Sequence, residues 1–352
     1  MSAGDRKLTD FPYSEPGYGR KVAVVGIGSA GCRISNQLSK ESKLLEHFLY
    51  VTCDDHDVAT VNRGEKVLID AKASGKISPF NVRGLASSKL AEIRGHLADS
   101  QVVFIIAGLG GTVGSGLAPV IARLARDNKA TTVSIVVMPY NFEKPKHYFA
   151  GLALRQIRKI SSGVVIIDND QLLEKEMPVI DAFALVNEKI ALALNKLLGS
   201  TEQHEFSLGL NNVIDFVKTN SYSILCLGES EKECKQAVLN AMSRFDKTVD
   251  THEALKSIVH LCADKSITMK EVTRSIGGLS GVLGNGTMQI EYGLSANSST
   301  GTTAIIVATG FSTTKFDCYD PVDLAMKQRA GNIDTGLDSS LGVQMLLQNL
   351  EA

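Results

Sequence analysis

The chain has 352 residues, of which 44% are hydrophobic and 21% charged, with a formal net charge of −1. That length can hold two cores, and the composition is ordinary for a soluble globular protein. A nearly neutral charge with no one-sign block argues against electrostatic binding to nucleic acid or to an acidic membrane.

Residues 1–20 are polar, carry Pro12, Pro16 and Gly17, and lack the apolar stretch of a secretion signal. They read as a flexible segment. No apolar run approaches the ~20 residues that span a bilayer, so no direct membrane insertion is expected. The six cysteines form no C-x-x-C pair and the seven histidines are scattered. Metal-ligand spacing is therefore absent, and the expectation is a reduced, cytoplasmic protein.

A strand over 21–25 leads into Gly26-Ile-Gly-Ser-Ala-Gly31 and then a helix beginning Cys32-Arg-Ile-Ser. This G-x-G-x-x-G match suggests a dinucleotide fold, but glycine also serves close helix–strand packing there. The acid expected at the end of the next strand comes late, as Asp54 and Asp55 after a strand over 48–53. A buried strand over 102–107 precedes Gly108-Leu-Gly-Gly-Thr-Val-Gly-Ser-Gly116, and a helix over 117–126 follows. Five glycines in these nine residues let backbone N–H groups approach a ligand. The helix start adds free donors and a positive dipole end, which together make a phosphate site. Further strands over 131–138 and 164–168 complete an α/β, doubly wound parallel sheet, with both glycine loops on one face. No G-x-x-x-x-G-K-[ST] motif is present and neither loop contains lysine, so backbone N–H groups and hydroxyls must hold the phosphates.

Residues 181–198 are apolar on most sides, as in a helix buried between layers; it reads as a central helix joining two domains. Beyond it the pattern gives a strand over 223–228, a helix over 229–244, helices over 255–263 and 266–276, and strands over 288–292 and 303–309. The polar stretch 312–340 reads as a linker. Residues 342–350 could form a short amphipathic helix, either a frayed terminus or a docking peptide for an adaptor.

Several ordered landmarks resemble the tubulin and FtsZ superfamily. Gly108 to Gly116 is similar to its glycine- and threonine-rich signature loop, and Gly28-Ser-Ala-Gly-Cys-Arg-Ile-Ser-Asn36 is similar to the tubulin form of the first loop. Ala118-Pro-Val-Ile-Ala122, Met138-Pro-Tyr-Asn-Phe-Glu143, Asp168-Asn-Asp-Gln-Leu-Leu173, Asp181-Ala-Phe183 and Ala308-Thr-Gly-Phe311 resemble FtsZ, of an archaeal character. The resemblance runs from about residue 21 to 311. It implies a GTP-binding domain over 21–180, a central helix over 181–203, a smaller α+β domain over 204–311, and a tail over 312–352. It also implies self-association head to tail and a role in cell division or cell shape.

The resemblance implies that GTP or GDP, with Mg2+ accompanying it, is cradled by Gly28, Ser29, Ala30, Gly31, Cys32 and Arg33 of the first loop. Gly110, Gly111, Thr112, Val113, Gly114 and Ser115 would cradle it from the second. Glu143 would reach the ribose, and His147 stands where the family carries an arginine. Asn169 and Glu188 would bond the guanine edge and Phe183 would stack on it. Thr112 replaces a glycine, Val113 a threonine, Arg33 an amide residue and Glu188 an aspartate.

The largest departure is the family's Asn-x-Asp-x-x-Asp loop, whose acids enter the neighbouring subunit's site and position water. Here it reads Gly209-Leu-Asn-Asn-Val-Ile-Asp-Phe-Val-Lys-Thr219. Anchored at its end, both acid positions fall on Val213 and Phe216; shifted by one, Asp215 takes the second. No register keeps two acids. Because phosphoanhydride hydrolysis is mostly positioning and charge stabilisation, slow or impaired turnover is expected. A fully active, self-activating GTPase using Asp215 and Glu205 is the alternative; Glu202 and Glu205, upstream at i, i+3 spacing, are the candidate substitutes for the missing acids. An NAD-dependent oxidoreductase is a second alternative, and it leaves 108–116 unexplained.

Overall fold

The computed structural model describes residues 21–71, 77–173, 176–198, 208–231, 233–264, 267–279, 281–284, 288–296, 301–322 and 325–326. The N-terminal segment 1–20, Glu202, Glu205 and the tail segment 342–352 lie outside the described residues.

The first half alternates strands and helices. It comprises β1 (Val22–Ile27), α1 (Gly28–Glu41), β2 (His47–Thr52), β3 (Glu65–Leu68), α2 (Pro79–Leu85), α3 (Leu90–Leu97), β4 (Val102–Gly108) and α4 (Thr112–Asp127). Then come β5 (Thr131–Met138), α5 (Lys144–Ile160), β6 (Gly163–Asp168), α6 (Asn169–Leu172), α7 (Val179–Leu198) and α8 (Leu210–Val217). The remainder is β7 (Tyr222–Ser230), α9 (Cys234–Phe245), β8 (Lys256–Ala263), α10 (Met269–Gly277), β9 (Gln289–Ala296), β10 (Thr302–Phe311) and a 3-10 turn, Lys315–Tyr319.

All ten of these strands belong to one sheet, ordered β3-β2-β1-β4-β5-β6-β7-β10-β8-β9. From β3 to β7 every pairing is parallel. β10 runs antiparallel to β7 and β8, and β9 is parallel to β8. The central strands are apolar on both faces because both faces are covered. On one side α1, α7 and α8 contribute Ile34, Leu38, Ile190, Leu194, Ile214 and Val217 to a core. On the other, α2 to α5 and α9 contribute Val82, Ile93, Leu117, Ile121, Leu154 and Phe245.

Five points of the sequence reading change. Residues 256–263 form β8, not a helix. Ile258 and Cys262 face the α7 side while Val259 and Leu261 face the α9 side; a short run buried on both faces has no period that separates strand from helix. β3 is short, with Glu65, Lys66 and Leu68 exposed, so its pattern gives little signal. α9 begins five residues later than expected because β7 continues to Ser230. α7 is covered on one side only: Leu192 is 41% exposed and Glu188 is also exposed. The stretch from 312 is not linker throughout, since Phe316 is buried in the core beside α5.

One buried group makes stability depend on pH. His260 of β8 is 2% exposed. Its Nε2 lies 3.0 Å from Ser295 Oγ, whose hydroxyl donates to Cys262 Sγ at 3.3 Å, and its Nδ1 has no partner. Burial, and then the charge of Lys196, push the imidazole pKa down to about 4. The native state therefore favours the neutral ring. That stabilisation is whole above the unfolded value of about 6.5 and is lost as pH falls towards about 4, on the order of 3 kcal/mol in all. The melting temperature of the protein should fall across this window, and a His260→Gln variant, which cannot charge, should lose less over the same pH steps.

Candidate functional site

The strand order reverses at β1. The chain winds outward through β2 to β3, then returns to place β4 on the other side of β1. In such sheets a crevice opens beyond the strand C-termini at the point of reversal. Here it is a cleft of about 460 Å3. α1 starts at Gly28 directly after β1, and α4 starts at Thr112 just after β4. Neither start has a side-chain cap, since the N-caps are Ile27 and Gly111. First-turn N–H groups of two helices are thus left to a ligand at one cleft. Gly28 has φ 67°, which favours glycine.

The cleft is lined by Gly28, Ser29, Ala30 and Arg33 from the first loop and by Gly110, Gly111, Thr112, Val113 and Gly114 from the second. Glu143, Asn169 and Phe183 line it too. The remaining expected residues turn elsewhere. Gly31 backs onto β4, where a Cβ would stand 2.2 Å from the Ile106 carbonyl oxygen. Cys32 is buried with Sγ 3.5 Å from the Gly26 carbonyl oxygen. Ser115 is buried and donates its hydroxyl to the Leu109 carbonyl.

His147 stacks on Tyr319, centroids 3.8 Å apart, and lines a neighbouring cavity of about 330 Å3. The cation from α5 in the cleft is Lys146, paired with Glu143. Glu188 is exposed and absent from the lining, while Asn187 is part of it. Successive helical residues point about 100° apart, so the residue sharing a face with Phe183 is Asn187, four positions on. That spacing was available in the sequence.

Behind the first loop sits an acid that the sequence reading missed. Asp57 is buried and accepts from Ser29 Oγ and Thr52 Oγ1, each at 2.8 Å. Arg33 lies 4.0 Å from it. Asp54 instead accepts the His56 N–H at 2.9 Å, and neither Asp54 nor Asp55 lines the cleft. At the far end, Asn169 Oδ1 is buried without a partner. Phe183 stacks on Tyr140 with centroids 4.9 Å apart. Burial, with Glu143 and Asp170 adding to it, raises the Tyr140 pKa to about 12, so the ring is neutral.

Residues 21–176 match the Tubulin/FtsZ family, GTPase domain. The chain is 30% identical over 253 residues to Cell division protein FtsZ 1 of Pyrococcus furiosus, covering 68% of each. The chain belongs to the tubulin/FtsZ family. Another relative, Cell division protein FtsZ 2 of Haloferax volcanii, is 24% identical over 300 residues, covering 81% of this chain and 74% of that one. Among solved structures, the empty FtsZ dimer of M. jannaschii superposes with a TM-score of 0.71 at 25% identity, covering 83% of this chain and 88% of that chain. The GTPγS-bound CetZ2 protofilament from Haloferax volcanii shares the fold, with a TM-score of 0.66 at 20% identity, covering 90% and 99%.

Both glycine loops of this FtsZ-family chain fall inside the matched residues; Phe183, Asn187 and Asp215 lie beyond them. Asp215 is exposed on α8, between buried Ile214 and Phe216. The end of α8 abuts Gly163, the first residue of β6, where a Cβ would stand 2.2 Å from the Val217 carbonyl oxygen. Asn169 follows the last residue of β6. The six-residue strand between them spans about 20 Å, so Asp215 and the cleft lie towards opposite ends of the strands.

Cysteine chemistry reports on the first loop. Cys318 is exposed, whereas burial, and then the nearby Asp57 charge, push the Cys32 thiol up to about 12. Iodoacetamide at neutral pH, followed by peptide mapping, should modify Cys318 first and leave Cys32 untouched until denaturant is added. Rapid labelling of Cys32 in the native protein would put its thiol in the cleft after all.

Proposed function

We propose that the chain binds GTP or GDP in the cleft between β1 and β4 and associates head to tail with copies of itself. Hydrolysis is slow and the setting is the cytoplasm; the role is in cell division, the process named in the relatives' titles, or in cell shape. The observation that carries this reading is the chemistry of the two cleft ends. Two uncapped helix N-termini suit phosphates, and Arg33 and Lys146 add positive charge beside them. At the other end the unpartnered Asn169 Oδ1 and the Asn187 amide offer the acceptors and donors that a guanine edge needs.

An amide can both donate and accept, so Asn187 discriminates guanine from adenine less strictly than a carboxylate would. Mg2+ carried in with the nucleotide would depend mainly on phosphate oxygens and water. Among the described residues no three His, Cys, Asp or Glu side chains gather to hold a metal, and Asp57 is engaged by Ser29 and Thr52.

Asp215 lies towards the opposite strand ends from the cleft of its own chain, so in this reading it meets a nucleotide when a second copy stacks on the first. The side chains beside it, Val213, Ile214, Phe216 and Val217, are buried and apolar. A single carboxylate supports slow turnover better than fast. Among the described residues no helix is long and apolar enough to cross a membrane. Work at a membrane would need an adaptor, for which 342–352 is our candidate docking segment.

Two measurements test this reading. Asn187→Ala should weaken GTP binding about tenfold, as loss of a base hydrogen bond does, while Glu188→Ala should stay within about twofold in a fluorescent-nucleotide titration. Phosphate release and light scattering should then be followed together across a range of protein concentrations. GTP-dependent scattering with little phosphate is expected, and Asp215→Ala should lower what remains. Release that climbs steeply with protein concentration would replace slow turnover with an active GTPase; no GTP binding at all would remove the whole reading.

A further inference from the structure

Behind the base end of the cleft lies an ion pair, its carboxylate buried and its ammonium half-buried, that none of these contacts uses. Asp168, the last residue of β6, is 2% exposed. Its Oδ2 accepts from Lys315 Nζ and, at 3.1 Å, from Thr248 Oγ1. Its Oδ1 accepts the Asp170 N–H at 3.1 Å. Lys315 opens the 3-10 turn after β10, whose start is fixed by the reciprocal bonds of Thr314 and Asp317. The turn lies directly on α5. Gly151 there leaves room for the chain, since a Cβ would stand 2.2 Å from the Tyr319 carbonyl oxygen. The Tyr319 ring covers His147.

The same acid leads straight into the cleft. Asn169 is its chain neighbour, with Oδ1 buried and unpartnered. The Asp170 carboxylate accepts the Asn141 N–H at 2.9 Å, and Asn141 follows Tyr140, which stacks on Phe183. The turn therefore grips both pieces that build the base end: the corner after β6 and, through α5, the loop after β5.

We propose that residues 314–320 are a strap that positions the base end of the cleft, with Lys315 as the positioning residue. The strap is coupled to base recognition and not to phosphate binding. A buried carboxylate stripped of its cation must be rehydrated or protonated, and either change moves the corner that carries Asn169. Coupling is reciprocal, so a bound base also holds the strap down. The inference rests on the nucleotide reading above.

The test uses the full chain and two probes, fluorescent GTP and unlabelled inorganic triphosphate as its competitor. Lys315→Met should weaken GTP about tenfold, equivalent to about 1.4 kcal/mol, and leave the inhibition constant of triphosphate within twofold. Lys315→Arg, which keeps the charge, should restore most of the GTP affinity. If Lys315→Met does not fold, the double variant Asp168→Asn, Lys315→Met, which buries no charge, takes its place with the same expectation. Unchanged GTP affinity, or equal loss for GTP and triphosphate, overturns the strap. Failure of the unmodified protein to bind GTP overturns the nucleotide reading instead.

Discussion

Everything at the cleft depends on the reversal of winding at β1. Because β2 and β4 flank it on opposite sides, α1 and α4 are carried to opposite faces of the sheet. Ile34 and Leu38 of α1 enter one core, and Leu117 and Ile121 of α4 enter the other. Two helices that start beside each other and then part leave a gap between their first turns. Glycine lines that gap on both sides, which brings main-chain donors to its surface. The anion-binding character is thus a product of topology first and side chains second.

Two buried carboxylates stand behind the cleft, one at each end. Asp57 gathers the Ser29 and Thr52 hydroxyls behind the phosphate loops, and Asp168 gathers Lys315 and Thr248 behind the base end. Neither lines the cleft. Each fixes the backbone on which the lining residues sit, through bonds that reach across long stretches of chain. A buried acid is tolerated only with such partners, so each marks a place where distant segments must come together.

What could be read from the chain follows from this division. The five parallel strands from residue 21 to 168 that carry apolar runs, and both glycine loops, are local patterns and are visible in the sequence. β8 was not, because a strand buried on both faces looks like a short buried helix. Cys32, Ser115, His147 and Glu188 sit next to lining residues but point away, and a rotation of about 100° per residue decides that. Glu188 stands where the resemblance puts an aspartate, while Asn187, four residues on from Phe183, is the one that lines the cleft. The Asp168–Lys315 pair joins residues 147 positions apart, and no local pattern announces it.

β6 has a further property. It is hydrogen-bonded to β5 on one side and to β7 on the other. Such a strand cannot slip by one residue without exchanging its two faces. Its first residue abuts the end of α8, and its last hands the chain to Asn169. The distance between those two ends is therefore set by a count of peptide units, held in register by ladders on both sides. The length of β6 is thus a ruler internal to the molecule, set between the end of α8 and the corner at Asn169.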